Sequence, residues 1–285
     1  MEPAKTIFVT GATGNQGGAT ARNLLSQGVI VKALVRDMAS PKAKVLQEHK
    51  AELIQGDLDK PSSYAKHLAN VDGVFGLLHF TKGIDKEIAQ GKALIDAAVL
   101  AGVRHFIYSS VIASDQKTGI PHFESKGVIE AHLRSSGLPF TILRPSSLYE
   151  NFMIPQVRSR IVKGKFVSPL DKHVVQQMIS TQDIGNIAAH IFLHPEQYIG
   201  KTLDLAADQM DQGQMADSFS KAMGKNIKYG KLPGLITRLA MGKDLHTMFK
   251  YINTNGGDFI KNYKEINHDL PPVMTLSEWI PRYFI

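Results

Sequence analysis

An α/β fold is what this sequence predicts: a doubly wound parallel sheet with a smaller C-terminal α-rich cap. Three features of the chain lead there. Short apolar, β-branched runs alternate with longer mixed stretches through the first half, a rhythm that builds a parallel sheet covered by helices on both faces. The first run, Lys5 to Thr10, feeds directly into three glycines spaced three apart, Gly11, Gly14 and Gly17. After Arg144-Pro145 the rhythm breaks, which sets the later part of the chain apart.

Taken in order, the strands fall at 5–10, 29–35, 52–55, 73–78, 105–109 and 140–143, and the helices at 15–27, 41–49, 61–69, 84–101 and 122–136. Ser40-Pro41 is an N-cap followed by a first helical residue, and Lys60-Pro61 is a weaker version of the same signal. Gly28, Gly102 and Gly137 stand where helices end. Residues 146–175 read as irregular. A strand at 177–180, a helix at 181–193 and a strand at 202–206 read as a return to the main sheet, and 209–285 as helices with loops. The domain division expected from this is a nucleotide-binding unit over 1–150, rejoined at about 176–208, and a smaller unit made of 151–175 and 209–285.

Composition narrows the class. The chain has 285 residues, 43% of them hydrophobic, enough for a large core. No run approaches the ~18–20 apolar residues of a membrane span. The first strand begins almost at once, leaving no room for a signal peptide, so a cytoplasmic protein without a membrane partner is the default expectation. The absence of cysteine rules out disulfides, thiolate metal sites and cysteine nucleophiles. The net charge of +7 is spread evenly: residues 1–150 carry 17 basic and 14 acidic side chains, and 151–285 carry 16 and 12. That spread argues against a dedicated nucleic-acid module. One basic cluster, Arg158, Arg160, Lys163, Lys165 and Lys172, reads as solvated surface.

The glycine loop carries the chemistry. Gly11 permits the tight turn out of the strand. Gly14 lets the backbone approach a pyrophosphate, and Gly17 lets the helix pack against the strand. The amides at the helix start then face phosphate. This makes Gly11, Thr13, Gly14, Asn15, Gln16 and Gly17 candidate cofactor-binding residues in a Rossmann-type fold. The second strand ends at Arg36-Asp37. An arginine there accepts an adenosine 2′-phosphate, whereas a carboxylate holds the free ribose hydroxyl. Arg36 favours NADP(H), and Asp37 keeps NAD(H) possible. Gly56-Asp57-Leu58 closes the third strand, where Asp57 and Leu58 are placed to meet the adenine or to serve as ordinary loop residues.

Further on, Pro121-His122-Phe-Glu-Ser-Lys126 puts His122 and Lys126 four apart, on one helix face. A lysine there can hold the nicotinamide ribose, and an imidazole can pass a proton after hydride transfer. An ordinary exposed helix turn has the same spacing. His190 and His194 share that spacing too, but nothing around them in sequence supports a metal, and no metal site is expected.

The motifs Val-Thr-Gly11-Ala-Thr-Gly14-Asn-Gln-Gly17-Gly18, Gln55-Gly56-Asp57, Tyr108-Ser109-Ser110 and His122-Phe-Glu-Ser-Lys126 together resemble the NmrA-like proteins, atypical members of the short-chain dehydrogenase/reductase superfamily. Leu143-Arg144-Pro145 with Tyr149-Glu-Asn151-Phe152, Ser180-Thr-Gln-Asp183-Ile-Gly185 and Thr275-Leu-Ser-Glu278-Trp279 extend the resemblance over essentially the whole chain. It implies that Tyr149, Asn151 and Phe152 lie beside the nicotinamide. The superfamily's active enzymes use Tyr-xxx-Lys. Here His122 stands in the tyrosine's place and Lys126 is retained. The resemblance therefore implies one of two functions: a redox-sensing regulator that binds NADP(H) and controls a partner protein, which the His122 replacement favours, or an NAD(P)H-dependent reductase of quinones or similar conjugated molecules.

Overall fold

The computed structural model describes residues 5–79, 83–263 and 268–285. Its core is a seven-stranded parallel sheet. The chain enters through β1 (Thr6–Val9), α1 (Asn15–Ser26), β2 (Ile30–Val35), α2 (Pro41–Glu48) and β3 (Glu52–Gln55). It then crosses to β4 (Gly73–Leu77), α3 (Ile84–Leu100), β5 (His105–Ser109), α4 (Pro121–Ser135) and β6 (Phe140–Pro145). In space the order is β3-β2-β1-β4-β5-β6-β10, with β10 (Thr202–Leu205) arriving late in the sequence to close the β6 edge. The order reverses between β1 and β4. In doubly wound sheets ligands bind outside the carboxyl ends of the strands at this switch point.

Strand alternation sorts side chains onto the two faces. Ile7, Val9, Val31, Phe75 and Ile107 pack with Leu24 of α1 and with Ile184, Ile187 and Ile191 of α6 (Thr181–Leu193). Phe8, Val74, Phe106 and Tyr108 point the other way, onto Leu94 and Ile95 of α3 and Ile129 and Leu133 of α4. Helices α1 and α6 lie so close that a Cβ on Gly185 would sit 2.6 Å from the Ala19 carbonyl carbon. The expected helix ends hold: Gly28, Gly102 and Gly137 all take positive φ, and Ser40 accepts a hydrogen bond from the Ala43 amide as N-cap of α2.

The structure departs from the sequence reading in four places, three of them in the second half. Residues 146–175 contain β7 (Ser147–Leu148), α5 (Pro155–Val162) and β8 (Lys165–Ser168). The strand expected at 177–180 is β9 (Val175–Ile179), and it does not rejoin the main sheet. It pairs in parallel with β7 and antiparallel with β11 (Asp208–Asp211) as a separate three-stranded sheet. The segment 209–285 is not helices and loops alone. Besides α7 (Gln212–Met223), α8 (Gly234–Asn255) and α9 (Leu276–Trp279), it supplies β11 and β12 (Lys228–Lys231), the latter pairing with β8. The helix expected at 61–69 is two short 3₁₀ turns, 61–63 and 65–68. Pairing over such distances leaves no periodic trace in strands of two to five residues, and that is why the two smaller sheets do not show in the sequence. A third apolar cluster unites this half: Tyr149, Phe152, Phe166, Phe219, Trp279 and Phe284 are all buried in it. Among the described residues no helix is long and apolar enough to cross a membrane.

Candidate functional site

The carboxyl ends of β1, β2, β3 and β4 enclose a cavity of about 450 Å³. Gly11, Thr13 and Gly14 form one wall, and Arg36, Asp57 and Leu58 form another. Gly11 takes φ +63°, the left-handed turn that leads the chain from β1 into the loop. Gly14 is the N-cap of α1 and offers no side-chain acceptor to the first helical amides. An end without such a cap leaves its amides to a ligand or solvent, and the positive end of the helix dipole there favours an anion.

Arg36 and Asp37 separate in a way the sequence left open. Arg36 lines the cavity. Asp37 is turned to its own loop, where its Oδ1 accepts from the Ala39 amide at 2.8 Å. Asn15 is exposed, while Gly17 is buried beneath the loop. The Gln16 carboxamide oxygen accepts a hydrogen bond from Ser109 Oγ at 2.6 Å, tying the start of α1 to the end of β5. These features fit a phosphate-bearing dinucleotide: bare backbone, uncapped amides and a cation beyond β2.

Lys126 and His122 are not on an ordinary exposed turn. Both are buried. Lys126 Nζ lies 3.0 Å from Glu87 Oε1 on α3, and its ammonium also reaches the Leu78 carbonyl at 3.5 Å. The next residue, His79, lines the cavity. Its proton affinity is depressed first by desolvation and then by the charge of Lys126, with Glu87 opposing and Arg36 adding a smaller push in the same direction. The charges of Lys126 and Arg36 thus both reach His79 at the cavity wall.

His122 Nδ1 lies 2.6 Å from Asp244 Oδ2 on α8, and its main-chain N–H donates to Asp244 Oδ1 at 3.2 Å. Burial pulls the imidazole below its ordinary value, and Asp244 pushes back.

Tyr149 and Phe152 are placed elsewhere than beside the cavity. The Tyr149 hydroxyl donates to Asp208 Oδ2 at 2.8 Å, and the ring packs 5.6 Å from Trp279. Phe152 stacks edge-on to Phe219. Both side chains serve the third apolar cluster, and Asn151 between them is exposed. The His190 and His194 rings lie 4.6 Å apart, tilted by 45°, and among the described residues no group of three or more metal-ligating side chains forms.

Sequence reasoning missed Leu34, Val35, Leu77, His79 and Gln90 as cavity wall, and Glu87 and Asp244 as partners. His79 was findable, because it follows β4 as Arg36 follows β2. Asp244, more than a hundred residues from His122, carried no local signal. A second hollow of about 330 Å³ lies by β10, walled by Ile187, Leu205 and Pro271, with no glycine loop beside it.

The switch-point cavity and glycine loop define a Rossmann-type dinucleotide fold. The chain belongs to the NmrA-like family, whose profile matches residues 3–280. It is 26% identical to the photosystem II assembly factor Ycf39 of Trieres chinensis, over 98% of this chain and 93% of that one. With the NAD(P)H azoreductase of Xenophilus azovorans it shares 28% identity over 78% and 76% of the two chains. The Escherichia coli NADPH-dependent quinone oxidoreductase, solved with NADPH, matches with a TM-score of 0.81 at 23% identity, over 98% of this chain and 100% of that one. NmrA, a negative transcriptional regulator solved with NADP, matches at 0.74 and 24%, over 90% and 82%. At such identities the structural likenesses speak for the fold.

Proposed function

We propose that this protein is an NADP(H)-dependent reductase of small conjugated acceptors of the quinone type. The carrying observation is the buried, carboxylate-paired imidazole of His122, set one helical turn from Lys126. A residue serving only to fill the place of a lost tyrosine has no need of such a partner. Gly11, Thr13, Gly14 and the start of α1 (Asn15, Gln16, Gly17) hold the pyrophosphate. Arg36 takes the 2′-phosphate, Asp57 and Leu58 border the adenine, and Lys126 grips the nicotinamide ribose. The bound dinucleotide supplies hydride. The main-sheet unit, residues 1–150 rejoined by α6 and β10, holds it, and the smaller unit, 151–175 and 209–285 together with β9, closes the acceptor side. The names of the azoreductase relative and the quinone oxidoreductase neighbour support the acceptor class. A quinone suits a site without the tyrosine acid, since the ring of its product stabilises the anion.

The regulator reading keeps one support, the likeness to NmrA. The two readings part in a single assay. A reductase oxidises NADPH through many turnovers with a panel of quinones, followed at 340 nm. Oxidation that stops below one equivalent across the panel overturns the proposal and leaves the sensor. Cofactor choice has its own test. Arg36→Ala is expected to weaken NADPH about tenfold or more, the size of a lost hydrogen bond to a charged group, and to leave NADH within about twofold. Equal losses by calorimetry sink the assignment of Arg36.

A further inference from the structure

We propose that Asp244 is the positioning residue for proton delivery: it anchors the His122 ring at Nδ1 and sets a negative charge beside the imidazole. This rests on the reductase reading above. Helix α4 begins after Ile120, which provides no side-chain cap. Asp244 fills that role from another helix. One carboxylate accepts from the main-chain N–H of His122, at 3.2 Å, and stands 2.6 Å from its Nδ1. A carboxylate at a helix start is also favoured by the helix dipole. With the ring held at Nδ1, Nε2 is the nitrogen through which a proton is exchanged.

Asp244 reaches this position because α8 breaks at Gly242, where φ is +83° and ψ 173°. Backbone of that kind belongs to glycine. Beyond the break, Met248 and Tyr251 pack with Phe123, Ile120 and Phe259. The apolar cluster therefore fixes the second segment of α8 against the first turn of α4 and presents Asp244 to His122.

Four influences act on the ring. Burial disfavours imidazolium most, and Lys126, one turn along α4, disfavours it further. Asp244 opposes them by charge and by hydrogen bond, and Glu87 of α3 adds a smaller push in its favour. Asp244 is thus the strongest of the influences that favour imidazolium. In the proposed reaction the acceptor takes a hydride, two electrons and one proton, from the reduced dinucleotide and becomes a hydroquinone anion. Imidazolium gives its Nε2 proton to that oxygen, and solvent restores it.

The test is Asp244→Asn, which keeps the shape and an acceptor for the His122 amide while removing the charge. The His122 titration is read by imidazole nitrogen NMR on the resting protein. The pH profile of kcat is read with NADPH and menadione. The expected result is a fall of about one pH unit in the His122 midpoint, equivalent to tenfold less imidazolium on its alkaline side. The alkaline limb of kcat moves down by the same amount, and KM and NADPH affinity stay within about twofold. An unmoved titration overturns the proposal, and so does a shifted titration with an unmoved kcat limb. The NMR arm needs no acceptor. A protein that reduces no quinone therefore sinks the reductase reading separately, while the pairing is still decided. Should the Asn variant lose NADPH affinity, Asp244→Ser, which can still cap the amide, gives the same titration readout.

Discussion

Gly17→Ala is expected to lose about 3 kcal/mol of stability and at least tenfold in NADPH affinity. An alanine Cβ would stand 2.4 Å from the Gly11 carbonyl oxygen, 2.6 Å from its carbon and 2.7 Å from the Thr10 oxygen. All three are backbone atoms at the turn between β1 and α1, so no side chain can rotate aside. Relief requires α1 to move away from β1. Overpacking of this kind typically costs 1–3 kcal/mol and occasionally more. Movement of α1 is restrained as well by its neighbour α6, whose Gly185 sits against Ala19 and Thr20. Any displacement also drags the amides of the phosphate loop. Gly28→Ala is the control. Gly28 has φ +77° and nothing within 4 Å of a built Cβ. Only left-handed strain of about 1–2 kcal/mol is expected there, with NADPH affinity unchanged. Urea unfolding and calorimetry on both variants check the pair of results. A Gly17→Ala protein as stable as Gly28→Ala would show that the close approach is not needed.

Removing Lys126 alone is expected to cost about 3–5 kcal/mol, well beyond the effect of losing a cofactor contact. The side chain of Glu87 has no solvent exposure, and its second oxygen accepts only from Ser125 Oγ at 2.6 Å among the hydrogen bonds described. Lys126→Met would strand that carboxylate, and breaking a buried pair from one side is strongly destabilising. Glu87→Gln in the Lys126→Met background removes the charge and should recover most of the lost stability. It should not recover NADPH binding, because the ribose contact proposed for Lys126 is lost in both. Denaturant midpoints across the four proteins measure the coupling, and NADPH titration separates the two roles of the lysine. Recovery of affinity in the double variant would remove Lys126 from the cofactor site.

Both experiments probe features that differ in how openly the chain displays them. Gly17 declared itself by spacing alone, because the demand it meets is local: a strand, a turn and a helix within twenty residues. The six leading strands were legible for the same reason. Their short apolar runs lie between helix-length segments and have one low-energy arrangement, a parallel sheet. Arg36 was legible as a residue but not as a choice. Only the turn that draws Asp37 onto Ala39 separates the two.

The second half was harder to read. β7, β9 and β11 form a sheet from segments as far apart as Ser147 and Asp211, and β8 pairs with β12 across some sixty residues. Strands this short hold their place by what they pair with and pack on, so their own residues show little pattern. Tyr149 and Phe152 illustrate it. Their sequence neighbourhood pointed to the nicotinamide, yet the aromatic cluster around Trp279 and Phe219 took both side chains.

By itself, then, the chain determined the Rossmann-type sheet, the glycine loop and the His122–Lys126 helix turn, because each depends on backbone geometry and residue spacing within a short window. The tertiary structure alone decided what the titratable groups are paired with. Glu87 reaches Lys126 from α3, and Asp244 reaches His122 from a helix broken at Gly242. The proton affinity of a buried side chain is set by the charges and the water that surround it, and those are properties of packing between distant segments.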